Sequence, residues 1–203
     1  MKLVLIALLI AFVSLPSQAA DRRRTNLKGL GLYNFTMPKS DNSATQDTLK
    51  AKGAIGGGVL AEFPLGRAVG LEIGGLCQPY KYAVENAAIN TNLTTEWRDI
   101  HLPLAFKFHT GSVLSFGLGG YYNFAIGKSK TTGTLTGSAI DVESDVSDDL
   151  KSDYGALGTI GFDLMLGRSM AFVLEGRYLW GLKKVAGQTQ HHVQGLGGFS
   201  FLF

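Results

Sequence analysis

The stretch RDIHLPLAFKFH, residues Arg98–His109, decides the fold because its apolar side chains recur at every second position. One face is apolar and carries Ile100, Leu102, Leu104, Phe106 and Phe108. The opposite face carries Asp99, His101, Pro103, Ala105 and Lys107. Successive side chains of a β-strand point to opposite sides, so a period of two predicts a strand with one apolar and one polar face.

The same alternation recurs along the rest of the chain. Seven further segments show it, at about residues 27–36, 54–63, 68–80, 114–126, 154–166, 170–180 and 192–203. These segments are about ten or more residues long, as expected for tilted membrane strands of about 9–11 residues. Strands of soluble domains are more often about five or six residues long. The sequence therefore predicts eight strands of membrane-spanning length.

The connections between these strands alternate in length. The short ones are Pro64–Arg67, His109–Ser112 and Gly167–Ser169, and the long ones cover about residues 37–52, 82–93, 127–152 and 184–191. A soluble β-sandwich also alternates apolar and polar residues, but it would not sort its loops in this way. Open sheet edges are excluded from hydrocarbon, so the strands must close. We predict an all-β, eight-stranded antiparallel up-and-down transmembrane β-barrel over residues 27–203.

The first residues form an export signal. Lys2 precedes the apolar run Leu3–Val13, and small residues stand at Ser17 and Ala19. This pattern predicts a signal peptide over residues 1–19, since so short an apolar run cannot cross a membrane as a helix. Residues 20–26 become a periplasmic tail. Its Arg22-Arg23-Arg24 either contacts anionic head groups or is solvated. We expect both termini in the periplasm, the long loops outside, and localisation in the outer membrane of a Gram-negative-type envelope.

Composition excludes several other classes of protein. Only 17% of the residues are charged, against a usual value of about 25%. The net charge of +3 gives no clustered basic face for nucleic acid. Cys77 is the single cysteine, so no disulfide framework forms, and in this register it faces lipid. The expected partners are outer-membrane lipid, lipopolysaccharide and the outer-membrane assembly machinery, and the barrel is expected to be a monomer.

Several short motifs point to a known family. They are Ala61-Glu62-Phe63-Pro64-Leu65, Leu71-Glu72-Ile73, Ile100-His101-Leu102-Pro103-Leu104 and the glycine-rich run Gly117–Tyr122. Together they resemble the small outer-membrane β-barrel proteins often labelled porin-like, and the resemblance covers nearly the whole mature chain. It implies the eight-stranded fold and little about activity. The peptidoglycan-binding domain of some relatives is not expected, because the chain ends at Phe203.

The polar face of the strands places charges inside the barrel. The predicted lumen charge network comprises Glu62, Glu72, Asp99, His101, Lys107, Asp163, Glu175 and Arg177. Glu175 and Arg177 share one face, and Glu72 and Lys107 should lie at similar depth. Buried charges must pair, so the network either packs as a polar plug or lines a path for ions. Five acids against two bases would make such a path favour cations.

The chain ends in alternating aromatic residues, namely Phe199, Phe201 and Phe203. They suit an aromatic girdle, and they resemble the C-terminal signal read by the outer-membrane assembly machinery.

Candidate sites for a metal or for catalysis are weak. The acidic run Asp141–Asp149 lacks the calcium-loop pattern, so it is interpreted as a solvated loop or as a divalent bridge to lipopolysaccharide. His191 and His192 are expected at the rim, but no histidine is followed by a serine in a His-x-Ser pairing. We predict no enzyme, cofactor or metal. The predicted function is a barrel with a filled lumen that acts through its loops or braces the envelope. The alternatives are a narrow channel for small cations or solutes and, more weakly, an enzyme that modifies outer-leaflet lipid.

Overall fold

The computed structural model describes residues 24–38, 48–86, 90–111, 113–145, 152–185 and 188–203. The predicted signal peptide and the start of the predicted periplasmic tail lie outside these residues. The strands are β1 (Asn26–Pro38), β2 (Thr48–Ala51), β3 (Gly53–Pro64), β4 (Val69–Asn86), β5 (Thr91–Thr110), β6 (Leu114–Leu135), β7 (Ser138–Asp145), β8 (Ser152–Met165), β9 (Met170–Val185) and β10 (Gln188–Leu202). None of the described residues forms a helix that is long and apolar enough to cross a membrane.

Eight of these strands form a closed antiparallel ring. The order around the ring is β1, β3, β4, β5, β6, β8, β9 and β10. The first strand closes against the last, with Asn26 opposite Leu202 and Pro38 opposite Gln190. Closure gives each of these eight strands two neighbours, as hydrocarbon requires. The predicted eight-stranded barrel is confirmed.

The connections differ from the predicted ones at one end. The short turns that follow β3, β5 and β8 lie at the same end of the barrel as the start of β1 and the end of β10, which we call the lower end. At the upper end, the predicted long loops 82–93 and 184–191 are wrong, since β4 and β5 extend to Asn86 and Thr91 and β9 and β10 to Val185 and Gln188.

The predicted loop 127–152 is also largely strand. Residues up to Leu135 continue β6, and β7 pairs back onto them. Likewise β2, inside the predicted loop 37–52, pairs with β4. The continuation of β6 contains Thr131, Thr132 and Thr134, and threonine favours strands, but polar residues occupy both faces of these extensions. They therefore lack the apolar alternation that marks a strand in a sequence.

The two faces of the wall have opposite polarity. Outward-facing apolar side chains are exposed, as for Leu118 (68%) and Ile160 (46%). Inward-facing Lys107 and Arg177 are at most 2% exposed. An apolar exterior around a polar interior is the arrangement of a barrel surrounded by lipid.

At one place in the barrel wall, the backbone pairing between β3 and β4 is interrupted. β3 pairs with β4 from Pro64 opposite Gly70 up to Gly57 opposite Cys77. Above Cys77, the next strand paired with β4 on this side is β2. Its lowest pair is Ala51 opposite Tyr82. Pro79 lies in the interval, and its carbonyl oxygen accepts a hydrogen bond from Asn34 Nδ2 at 3.3 Å. The interval leaves a groove on the outer wall.

Candidate functional site: the barrel lumen

All eight residues of the predicted charge network are buried, each at most 5% exposed: Glu62, Glu72, Asp99, His101, Lys107, Asp163, Glu175 and Arg177. They do not form a single cluster. Glu62, Glu72, Lys107, Glu175 and Arg177 meet in the lower part of the lumen, whereas Asp99 and His101 lie higher. Asp163 is buried at the lower end, where its backbone N–H donates to Val113 O at 2.7 Å.

Arg177 is the centre of the lower group. Its Nη2 donates to Glu72 Oε1 at 2.7 Å, and its Nε donates to Glu175 Oε1 at 2.6 Å. The second oxygen of Glu175 accepts from Lys107 Nζ at 2.5 Å, and Lys107 also donates to Thr159 Oγ1 at 2.8 Å. Charge-assisted hydrogen bonds of this length are the strong ones. The predicted neighbours Glu175 and Arg177 are therefore paired.

Lys28 completes the group from the first strand. Its Nζ lies 2.7 Å from Glu72 Oε2 and 2.8 Å from Glu62 Oε2. The other oxygen of Glu62 accepts from His109 Nε2 at 2.5 Å. Lys107 Nζ is 4.0 Å from Glu72, so the predicted Glu72–Lys107 neighbours are in weak contact, and Lys28 and Arg177 are the closer partners of Glu72.

We call Lys28, Glu62, Glu72, Lys107, Glu175 and Arg177 the ionic layer. Every carboxylate oxygen in it faces a nitrogen of a basic side chain at 2.8 Å or less. Three carboxylates face two lysine ammonium groups and one guanidinium, so acidic and basic side chains are equal in number within the layer. A buried charge left unpaired is costly. The layer is thus a fixed network rather than the acid-rich lining that five acids and two bases suggested.

Lys28 and His109 are the functional residues that sequence reasoning missed. Along β1, both faces mix leucine or glycine with other residues, so the apolar pattern does not say which face is inside. The polar residues Asn26, Lys28 and Asn34 share one parity and are all buried, and that parity was the available signal. His109 was assigned to a turn, although it continues the inward parity of Lys107.

A second polar layer fills the upper lumen. Gln194 Nε2 donates to Gln78 Oε1 at 2.7 Å, and Gln78 Nε2 donates to Tyr80 OH at 2.5 Å. Asn123 Nδ2 donates to the same hydroxyl at 3.0 Å, and His101 Nδ1 donates to Asn123 Oδ1 at 2.6 Å. This upper layer is built mainly from uncharged groups, and Asp99 is buried on the same strand as His101.

Apolar and aromatic side chains fill other parts of the lumen. Tyr80 and Trp97 stack with ring centroids 5.1 Å apart. A buried apolar cluster comprises Leu30, Leu32, Leu60, Leu76, Val173 and Leu196. The interior of an eight-stranded barrel is just wide enough for such side chains to fill it.

The two rim histidines point in opposite directions. His191 faces outward, where its ring lies beside Tyr178 and Trp180 and its Nδ1 is 3.2 Å from the Tyr178 hydroxyl. His192 is buried and meets Tyr80 edge-on at 5.0 Å. The two histidines predicted at the rim therefore face opposite sides of the wall, because successive side chains of a strand alternate.

The acidic run is only partly described. Asp141–Asp145 lie in β7 and are exposed, whereas residues 146–149 lie outside the described residues. Within the described ranges, no three His, Cys, Asp or Glu side chains form a group that could hold a metal ion.

The C-terminal phenylalanines all face outward. Phe199, Phe201 and Phe203 are 47%, 45% and 75% exposed. Phe199 packs edge-on against Phe172 with centroids 5.6 Å apart. The backbone N–H of Phe203 donates to Thr25 O at 2.9 Å, which ties the last residue to the start of the barrel.

Comparison with known proteins decides the family. The profile described as "Outer membrane protein beta-barrel domain" matches residues 17–187. The chain belongs to this family. No curated protein sequence matches it.

Solved structures agree on the fold. The outer membrane protein OprG from Pseudomonas aeruginosa is similar with a TM-score of 0.55 and 15% identity, over 92% of this chain and 98% of that one. Neisserial surface protein A is similar with a TM-score of 0.50 and 13% identity, over 88% and 97%. At these identities the likeness shows the barrel fold alone. Family and fold together place the protein in a Gram-negative outer membrane.

For this outer-membrane barrel, we predict that deletion of Phe203 impairs assembly more than stability. The ring is one of many on the outer surface, and its burial in lipid contributes about 1–3 kcal/mol. If the terminal ring is an assembly signal, the truncated protein should be degraded in the periplasm. Membrane fractions and urea titrations of refolded protein check this, with Phe199→Ala as the matched loss of one ring. Wild-type membrane levels of the truncated chain would contradict the prediction.

Proposed function

We propose that this outer-membrane barrel has a closed lumen and serves the envelope as a structural and surface-interaction protein. The ionic layer carries the proposal. Its side chains come from β1, β3, β4, β5 and β9, so the network joins strands from different sides of the ring. The proposed role is non-enzymatic, and the proposed state is a monomer.

The energetics of the ionic layer support closure. Arg177 in β9 reaches Glu72 in β4, and these strands are not neighbours in the ring. A contact across the lumen of this kind stands in the way of a solute. Opening the path would separate ions that are almost completely buried, and breaking a buried pair typically costs about 3–5 kcal/mol.

We further propose that the lower end faces the periplasm. An even number of strands brings both termini to one end, which also holds the three short turns. Outer-membrane barrels have short periplasmic turns and longer outer connections. The extended upper hairpins, together with the aromatic and polar rim, would then form the surface available to extracellular partners.

We expect the purified wild-type protein to show no ion conductance in planar bilayers. The reason is that opening a path would separate the buried ion pairs of the ionic layer. Measurement of single-channel currents at moderate voltage in potassium chloride checks this expectation. A variant with Lys28→Ala, Glu72→Ala and Arg177→Ala, which removes the centre of the layer, serves as the conducting control. Steady currents from the wild type would reject the closed lumen.

A narrow channel for small cations or solutes is the second candidate. One observation favours it: several buried polar atoms of the upper layer lack a hydrogen-bond partner among the described residues. They include both ring nitrogens of His192, His101 Nε2 and Gln194 Oε1. Buried polar atoms are nearly always satisfied by protein or water, so water should enter the upper lumen. The bilayer measurement decides whether that water continues through the ionic layer.

A further inference from the structure

A groove crosses the outer wall where the β3–β4 ladder is interrupted. Its volume is about 830 Å³, and the strands around it are β1, β3, β4, β5 and β6. We call it the outer groove. Its apolar part is formed by Tyr33, Ile55 and Ile126, and Ile55 is 81% exposed. An apolar surface of this kind on a membrane barrel is a contact surface for lipid.

Four cations line the same groove, namely Lys81, Arg98, Lys128 and Lys130. The only carboxylate among its lining residues is Glu96, which lies 3.3 Å from Lys81. Lys130 is paired with Asp141 at 3.2 Å. Within the described ranges, Arg98 and Lys128 form no ion pair. Two exposed cations are therefore available to a ligand.

A bulge in β6 helps to arrange these cations. The β5–β6 register shifts between Glu96 opposite Lys130 and Arg98 opposite Ile126. Gly127 sits in this shift with a φ of +75°, a conformation that glycine adopts readily. Bulges alter the direction of neighbouring side chains and are frequent beside functional sites. Arg98 and Lys128 both line the groove, directly beyond the outward-facing Ile100 and Ile126.

Carboxylates on β7 neutralise the groove only in part, through the pairing of Asp141 with Lys130. Glu143 and Asp145 stand opposite Lys130 and Lys128 in the β6–β7 register, but neither lines the groove. With Asp141 included, four positive charges face two negative ones, and Arg98 and Lys128 account for the excess. This excess fits an anionic group, and phosphate is an anion that Arg and Lys commonly bind in proteins.

We propose that the outer groove binds a phosphorylated, acylated glycolipid of the outer leaflet. Arg98 and Lys128 would hold a phosphate on the sugar, while Tyr33, Ile55 and Ile126 contact the acyl chains. The ligand must be a lipid because the apolar surface of the groove adjoins the cations that would hold the phosphate. A soluble polyanion would contact the cations and leave the apolar surface uncovered. The inference rests on the proposed orientation, in which the upper end meets the outer leaflet.

The test measures equilibrium binding of fluorescent diphosphoryl lipid A to the purified full-length barrel in detergent micelles. The variant carries Arg98→Gln and Lys128→Gln. The matched control carries Arg67→Gln and Arg168→Gln, which remove two exposed cations from the lower turns. We expect the groove variant to bind about tenfold or more weakly, because two charge-assisted contacts are lost. The control should stay within twofold of wild type.

Three ligands define the alternatives in the same assay. Wild type should bind diphosphoryl lipid A about tenfold more tightly than either its dephosphorylated form or phosphatidylglycerol. Equal binding of phosphatidylglycerol, equal binding by the groove variant, or complete competition by inositol hexakisphosphate at the same concentration would each overturn the proposal. Heat-modifiable migration on gels verifies that each variant is folded.

Orientation is tested separately from binding. In a Cys77→Ser background, Arg98→Cys should react with an impermeant maleimide on whole cells, whereas Arg67→Cys should not. The reverse labelling would overturn the outer-leaflet assignment. Neither measurement depends on conductance, so a failure here is distinct from a failure of the closed lumen.

Discussion

Replacing Arg177 with methionine is expected to lower the free energy of unfolding in urea by about 3–5 kcal/mol. Methionine keeps most of the side-chain length and removes the charge. Glu72 and Glu175 would each lose one bond, of 2.7 Å and 2.6 Å. Three buried carboxylates would then share two lysines. The large loss arises because the carboxylates remain desolvated after their partner has gone.

A balanced double variant separates charge from packing. Glu175→Gln combined with Arg177→Met removes one charge of each sign, so the free energy of unfolding should recover by at least about 1 kcal/mol relative to Arg177→Met alone. Arg168→Met, in an exposed turn, is the matched control and should change stability by less than about 0.5 kcal/mol. A loss below about 1 kcal/mol for Arg177→Met, as for a solvated ion pair, would show that the lumen is hydrated.

The period of two accounts for what the sequence predicted well. Glu175 and Arg177 share the inner face of β9 because they are two residues apart, and the apolar Leu174 and Tyr178 at the alternate positions face outward. That single constraint sets the inward or outward direction of every side chain on the strand, since a slip of one residue would reverse all of them. The same reasoning assigned Glu72 in β4 and Lys107 in β5.

The contacts between side chains across the lumen could not be predicted from the sequence. Glu72 and Arg177 are 105 positions apart and lie on strands that do not pair. Their contact depends on the tilt and stagger of the barrel and on the reach of the guanidinium. Alternation contains none of this information. It shows which residues are inside, but not which of them touch.

The ends of the strands and the inward-facing Lys28 of the first strand were missed for a different reason. β1 places Leu30 and Leu32 inside and Gly29 and Gly31 outside, so hydrophobicity alone does not show which of its faces is inside. Lys28 then had no clear face. The upper hairpins likewise carry no apolar face, because above the hydrocarbon both sides of a strand can be polar.

Lys28→Ala is expected to convert the closed barrel into one that conducts cations. The substitution removes the cation that contacts both Glu62 and Glu72, at 2.8 Å and 2.7 Å, and it leaves space along β1. The ionic layer then holds one more negative than positive charge. Water entering that space would meet a ring of uncompensated carboxylates, and such rings select cations. The measurement is the reversal potential in a potassium chloride gradient.

The opposite variant gives the decisive comparison, because the sign of the excess charge should set the sign of the selectivity. Glu72→Ala removes an acid from the same pair and leaves Lys28, Lys107 and Arg177 facing two carboxylates, so its leak should prefer chloride. The ratio of potassium to chloride permeability should differ between the two variants by about tenfold or more, since charges in a low-dielectric channel focus the field on passing ions. The double variant Lys28→Ala with Glu72→Ala restores neutrality and should show weak selectivity. If Lys28→Ala and Glu72→Ala select the same ion, charge balance in the ionic layer does not govern the lumen, and closure must then come from the upper layer around Tyr80 and Trp97.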